Sequence, residues 1–95
     1  MAGYQKITAD GVVGASGTKI RLYGFLVNSD GSGSVTAVYD GTSTGGIAID
    51  SLVGAASLST RILYPTAGIL CTNGVFLDID AHVNYIIAIY EQESS

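Results

Sequence analysis

The sequence predicts a single all-β domain: an antiparallel β-sandwich (jelly-roll-like) or a small barrel of about seven to eight short strands. Runs rich in β-branched and aromatic residues recur roughly every ten residues and are separated by Gly, Asp, Asn and Ser. The one apolar run with some helix propensity, residues 47–58, is interrupted by glycine and serine. The 95 residues suffice for one domain, 1–95, without a linker or a second domain.

Three strands are expected in the first half of the chain, over residues 4–9, 19–28 and 34–40, and a short apolar segment over 12–15 follows the first of them. Residues 16–18 and 29–33 have the composition of turns. The strongest strand is 19–28, and strict alternation divides it into two faces. One face carries Ile20, Leu22 and Leu26, and the other carries Lys19, Arg21, Tyr23, Phe25 and Val27. Because its second half is apolar on both faces, this strand is expected in mid-sheet or under a partner chain.

The second half predicts strands over 47–52, 58–64, 69–72, 76–80 and 85–91. Pro65 ends the second of these because proline has no N–H to donate to a sheet. Asn73-Gly74 is a strong hairpin signal, so 69–72 is expected to pair with 76–80. Residues 91–95 are expected to form a polar C-terminal tail.

Composition excludes several function classes. Four basic residues against eight acidic ones leave no basic patch for nucleic acid. The longest uninterrupted apolar run, 85–90, is far too short to cross a membrane, and the N-terminus has no signal-peptide pattern. The single cysteine, Cys71, cannot form an internal disulfide, which fits a reducing cytoplasm. Charged residues make up 13% of the chain, about half the usual fraction, so we expect partner subunits to cover part of the surface.

Three Asp-Gly pairs, beginning at Asp10, Asp30 and Asp40, offer carboxylates to a Ca²⁺ ion, but without EF-hand spacing they are interpreted as turns. The glycine-rich loop 41–46 lacks the lysine of a phosphate-binding loop. Asp78 and Asp80 share one strand face and alternate with core residues, which is typical of a solvated face.

His82 is the only histidine. Together with Cys71 it provides too few ligands for structural zinc, and no nucleophile motif accompanies it. We therefore predict no catalytic, metal-binding or cofactor-binding residues, and we do not expect an enzyme.

The aromatic residues are more informative, because tyrosine suits surfaces that another protein covers. The outward stripe Arg21, Tyr23, Phe25 and Val27 is the predicted subunit contact, and an aromatic platform for sugars is the competing use. If the stripe faces outward, Phe25→Asp or Tyr23→Asp leaves the monomer folded and abolishes association.

Residues 21–29, RLYGFLVNS, lead through Gly33 into 34–43, SVTAVYDGTS. With the early strand QKIT at 5–8, the strand GVFL at 74–77 and the closing Tyr90-Glu91, they resemble the small all-β virion proteins of tailed bacteriophages. The resemblance covers most of the chain. Its motifs are strand and turn patterns, and no catalytic signature comes with them.

The resemblance implies a structural role in the virion, after synthesis in the cytoplasm of the bacterial host. The expected function is that of a capsid decoration (cement) protein, which binds the assembled shell and stabilises it through subunit contacts. The expected partners are further copies of the chain, with a trimer favoured, and the major capsid protein or another virion protein. The alternatives are a tail, neck or head-fibre component, or a carbohydrate-binding β-sandwich for host attachment.

Overall fold

The computed structural model describes residues 3–65 and 67–93, and these residues form β-strands joined by turns and loops. In chain order the strands are β1 (Gly3–Ile7), β2 (Gly11–Val13), β3 (Ile20–Ser29), β4 (Ser34–Asp40), β5 (Ile47–Gly54), β6 (Ser59–Leu63), β7 (Ile69–Cys71), β8 (Val75–Ile79) and β9 (Val83–Gln92). The all-β prediction is confirmed. The described part of the chain contains one strand more than the upper end of the expected range, because the short segment β2 forms a strand of its own.

Two antiparallel sheets make up the domain. Sheet A has the order β1-β9-β3-β6, and β7 pairs with β3 beyond the end of β6. Sheet B has the order β2-β8-β4-β5. The two sheets pack face to face, so the chain is a small β-sandwich.

The core lies between the sheets and is built from alternate residues of each strand. Sheet A contributes residues such as Leu22 and Ile86, and sheet B contributes Val38 and Leu77, all without exposed surface. Fully burying one such side chain contributes about 1.5–3 kcal/mol. This core is the main stabilising element of the fold.

A β-bulge interrupts the alternation of β3. The register between β3 and β9 shifts between Leu22 and Gly24, so Tyr23 is an additional residue on the β3 side. The strand needs glycine after it, because a Cβ on Gly24 would lie 2.5 Å from the carbonyl oxygen of Ile62. Beyond the bulge, the alternate residues of β3 that would otherwise point outward point into the core, and the others point outward. Phe25 and Val27 therefore point into the core, and the prediction that they face outward is wrong.

The expected hairpin between 69–72 and 76–80 is also wrong. β7 pairs with β3 in sheet A, whereas β8 pairs with β2 and β4 in sheet B. The physical reason is the length of β3: β6 pairs with residues 24–28 and leaves the edge of 20–22 open, and β7 satisfies its backbone groups. The turn at Asn73-Gly74, with a φ of 100° at Gly74, carries the chain from one sheet to the other.

The C-terminal residues are more ordered than a polar tail. β9 continues to Gln92, whose Oε1 accepts a hydrogen bond from the backbone N–H of Ala15 at 3.0 Å. The N–H of Glu93 donates to the carbonyl of Lys19 at 2.9 Å. Of the predicted tail, residues 94 and 95 lie outside the described residues.

Candidate interaction surfaces

The four residues of the predicted contact stripe do not share one surface. Arg21 and Tyr23 remain on the outer side of sheet A, whereas Phe25 and Val27 are fully buried. The Phe25 ring meets the edge of Tyr64, with ring centroids 6.1 Å apart at 86°. Phe25→Asp would place a carboxylate among apolar side chains, so we now expect it to unfold the protein rather than only abolish association.

Arg21 and Tyr23 are engaged within the chain. The Arg21 Nε lies 2.6 Å from a carboxylate oxygen of Glu93, and the Arg21 Nη1 donates a hydrogen bond to the carbonyl of Ala67 at 2.9 Å. The hydrogen bond with Glu93 is the main reason that the pKa of Arg21 is raised. The Tyr23 hydroxyl donates to Glu91 at 3.4 Å. This part of the stripe ties β3 to the C-terminal end of the chain.

A larger uncovered surface crosses the outer side of sheet A. We call it face A and define it by seven outward residues that form two neighbouring rows across β1, β9, β3 and β6: Tyr4, Lys6, Ile87, Ile89, Leu26, Arg61 and Leu63. One cross-strand row is apolar from edge to edge: Tyr4 lies opposite Ile89, and Gly24 links Ile89 to Leu63. Tyr4 is 75% exposed and Leu63 is 63% exposed. An apolar strip therefore spans the four strands.

The neighbouring row of face A places cations at both ends of an apolar centre. Lys6 lies opposite Ile87, Ile87 opposite Leu26, and Leu26 opposite Arg61. The Lys6 ammonium lies 4.9 Å from the centroid of the Tyr85 ring. Across the described residues, no ion pair involves Lys6 or Arg61. Face A thus combines apolar side chains with two cationic residues whose backbone positions are three strand spacings, about 14 Å, apart.

The outer side of sheet B is also apolar. Face B comprises the outward residues of β2, β8, β4 and β5: Val12, Phe76, Asp78, Val35, Ala37, Tyr39, Ala48, Ser51 and Val53. Its first row runs from Val12 through Phe76 and Tyr39 to Ala48. At the other end of the face, Val35 lies opposite Val53, and these are 51% and 65% exposed.

The charges of face B are opposite in sign to those of face A. The four strands of sheet B contain no lysine or arginine. Asp78 lies in the row with Ala37 and Ser51. Asp80, just beyond β8, accepts hydrogen bonds from the N–H groups of His82 and Val35 at 2.7 and 3.1 Å, and these bonds lower its pKa. Face B is therefore apolar with an acidic margin.

The Asp-Gly carboxylates behave as turn residues. Asp10 accepts a hydrogen bond from the N–H of Ile79 at 2.7 Å, and Asp40 accepts one from Asn73 at 3.0 Å. Asp30 accepts from Ser32 at 2.8 Å, and this bond is the main reason that its pKa is lowered. Within loop 41–46, the N–H groups of Gly45 and Gly46 both donate to Ser43.

His82 and Cys71 occupy different environments. His82 is exposed in the turn between β8 and β9, with its Nδ1 3.2 Å from a carboxylate oxygen of Asp30. Cys71 is buried in the core, where burial raises the pKa of its thiol to about 11. In the part of the chain that the structure describes, no group of three or more His, Cys, Asp or Glu side chains is placed to hold a metal ion.

None of the described residues forms a helix with the length and apolar character needed to cross a membrane. Comparison of the chain with protein-family models, with curated proteins and with solved structures found no match. The function must therefore be inferred from the residues of the chain itself.

The sequence contained a signal for the two apolar faces. β4 and β9 carry apolar residues on both of their sides. In β4 these are Val35, Ala37 and Tyr39 on one side and Val38 on the other, and in β9 Ile87 and Ile89 alternate with buried residues. Such strands are expected to be covered on both sides. In β3 the same pattern predicts cover on both sides, and the bulge turns Phe25 and Val27 into the core.

Proposed function

We propose that this chain is a structural protein of a tailed-bacteriophage virion, a capsid decoration (cement) protein that binds the assembled shell. One observation carries the proposal: both outer faces of the sandwich present apolar side chains that residues 3–65 and 67–93 leave uncovered. Tyr4 and Leu63 on face A and Val35 and Val53 on face B are more than half exposed. Large apolar patches on a small domain mark surfaces that bind another protein.

Such a protein acts by burial of surface. A standard protein contact removes about 800 Å² from each partner, and apolar burial contributes about 25 cal/mol per Å² before the costs of association. Because the two sheets pack against each other, the domain is a rigid two-layer sandwich in which the two outer faces keep a fixed position relative to each other. When many copies cover the joints between shell subunits, each joint becomes harder to open although no covalent bond is made.

A second function has a specific observation in its favour. On face B the rings of Phe76 and Tyr39 are cross-strand neighbours, and Asp78 lies two residues beyond Phe76 on β8. Adjacent aromatic rings with a nearby carboxylate can bind a sugar, so a carbohydrate-binding module for host attachment is the alternative. A tail, neck or head-fibre protein would use the same faces as a cement protein, at a different place in the virion.

The test uses purified virions of the phage that encodes the chain. We expect the chain in the particles in many copies, and we expect purified protein to co-sediment with particles stripped of it and to raise the temperature at which they release their genome. Immunogold labelling separates the shell from the neck and tail. Absence of the chain from washed virions, together with specific retention on a glycan column, would overturn the proposal in favour of the carbohydrate module.

A further inference from the structure

We propose that face A of one copy binds face B of a second copy, so that the copies associate head to tail. This inference rests on the proposed function in one respect: both treat the two outer faces as contact surfaces. It adds that the binding partner is a second copy of the chain and that face A binds face B. Three features of the described residues support it: the dimensions of the domain, the apolar rows of the two faces, and the opposite charges of the two faces.

The faces have the size of a stable contact. The Cα atoms extend over 41 × 27 × 18 Å, and the shortest dimension fits the thickness of two packed sheets. The two longer Cα extents bound a rectangle of about 1,100 Å² (41 × 27 Å), so the outline of one broad side exceeds the roughly 800 Å² per partner of a standard interface. One broad side of the sandwich is thus large enough to bind a second copy of the domain.

The apolar rows of the two faces have the same form. Each row crosses four strands, from Tyr4 to Leu63 on face A and from Val12 to Ala48 on face B. Stacked sheets lie about 10 Å apart when their side chains interdigitate. A copy placed face A on face B repeats between molecules the sheet-on-sheet packing that holds the sandwich together.

Charge decides between like and unlike faces. Face A carries Lys6 and Arg61, and the acids at the C-terminal end of sheet A, Glu91 and Glu93, are bonded to Tyr23 and Arg21. The charge of face B is the carboxylate of Asp78, with Asp80 at its margin. Pairing A with A brings cations against cations, and pairing B with B brings carboxylates against carboxylates. Pairing A with B places the cations against the acids. The unlike pairing is therefore the favoured one.

When face A of one copy binds face B of a second copy, face B of the first and face A of the second remain free. The same contact then repeats, and it gives a ring if the rotation closes and an open stack if it does not. In an open stack the terminal copies keep one uncovered face, which remains available to the shell. A ring consumes both faces of every copy.

The test uses one variant blocked on each face. Leu63→Glu places a carboxylate on face A at an edge strand, and Val53→Lys places a cation on face B at the opposite sheet's edge. Both side chains are mainly exposed, so both variants are expected to fold. Each variant alone should associate at least about thirty-fold more weakly than the wild type by sedimentation equilibrium, since each places a charge within the apolar contact. Thr44→Lys, in the exposed loop 41–46, is the control and should associate like the wild type.

The mixture is the decisive measurement. The first variant keeps an intact face B and the second keeps an intact face A, so an equimolar mixture should form a discrete 1:1 complex with about the affinity of one wild-type contact. If circular dichroism shows that either variant is unfolded, Leu63→Ser and Val53→Ser replace them.

A charge exchange supplies an independent arm. Lys6→Glu combined with Arg61→Glu should weaken association about five-fold or more, as should Asp78→Lys alone. All three changes in one chain restore opposite signs across the contact and should recover most of the loss. Recovery supports unlike pairing, and a triple variant weaker than either parent contradicts it.

Three outcomes overturn the inference. They are a wild-type protein that stays monomeric at every concentration, a single blocked variant that still dimerises alone, and a mixture in which neither variant binds the other. The second outcome indicates contact between like faces. Co-sedimentation of wild-type protein with stripped particles tests the proposed function separately, so a chain that binds particles without pairing with itself refutes this inference alone.

Discussion

Phe25 and Leu26 are neighbours on β3, and the β-bulge assigns them opposite environments. Phe25 has no exposed surface and packs edge to face on Tyr64, whereas Leu26 is half-buried on face A. Truncating a buried phenylalanine to alanine costs about 3–5 kcal/mol. A domain of this size has a total stability of about 5–14 kcal/mol. We therefore predict that Phe25→Ala removes about 4 kcal/mol, a large part of the total, and that Leu26→Ala removes about 1 kcal/mol.

The assay is urea unfolding followed by tyrosine fluorescence, at a protein concentration below that of self-association. With a slope near 1.3 kcal/mol per molar urea, the midpoint should fall by about 3 M for Phe25→Ala and by less than 1 M for Leu26→Ala. Strict alternation along β3 without a bulge predicts the reverse order, since Leu26 would then face the core. A larger loss for Leu26→Ala than for Phe25→Ala would refute the bulge and the assignment of faces that depends on it.

Three further predictions concern single groups. Tyr64→Phe removes a hydroxyl that donates a hydrogen bond to Asp50 at 2.7 Å but keeps the ring packed on Phe25. The free energy of unfolding should therefore fall by about 1–2 kcal/mol. An unchanged urea midpoint would show that this hydrogen bond contributes nothing to stability. The Asp80 carboxylate has a lowered pKa because the backbone N–H groups of His82 and Val35 donate hydrogen bonds to it. Its contribution to stability is full above the unfolded pKa of about 3.9 and is lost as the pH falls through the lower pKa of the folded state. The thermal unfolding temperature of Asp80→Asn should therefore depend less on pH between about 4 and 2 than that of the wild type, and parallel curves would contradict this. Burial raises the pKa of the Cys71 thiol to about 11, so iodoacetamide at pH 8 should alkylate it slowly in the native protein and rapidly in urea, and equal rates would place the thiol at the surface.

The inner faces of the two sheets are apolar as in any sandwich, but the outer faces are apolar as well, and the charges among these outward apolar residues differ in sign, with Lys6 and Arg61 on face A and Asp78 on face B. An isolated domain would gain solubility from charged outward residues at positions such as Ile87, Leu63 or Val53. Their apolar character is understandable if the domain works as one layer of an assembly.

Much of the fold was predictable because its causes are local. Strand β4 was placed at its observed bounds, since Val35, Ala37 and Tyr39 alternate with other residues between two turn segments. Pro65 follows the end of β6, and the Asp-Gly pairs lie where the chain turns. Side-chain periodicity and turn chemistry depend on neighbours within a few residues, so they can be recognised in the sequence without knowledge of the sheets.

The errors came from interactions between distant segments. The bulge at Tyr23 depends on the register with β9, some sixty-five residues away, and on the carbonyl of Ile62 that leaves no room for a Cβ at Gly24. A shift of one residue exchanges the two faces of a strand, so the contact stripe was assigned incorrectly from Phe25 onward. The signal of Asn73-Gly74 identified a turn, but whether a turn joins two strands of one sheet depends on which edges remain open for pairing.

The sequence by itself therefore determined an all-β domain, the approximate position of each strand and the scarcity of charge, because these follow from local pattern and composition. Only the tertiary structure decided which strands share a sheet, which side of β3 is buried, and that Lys6 and Arg61 lie on one face while Asp78 lies on the other. The physical reason is that strand pairing and packing bring together residues far apart in the chain, and a surface exists only once those partners are known.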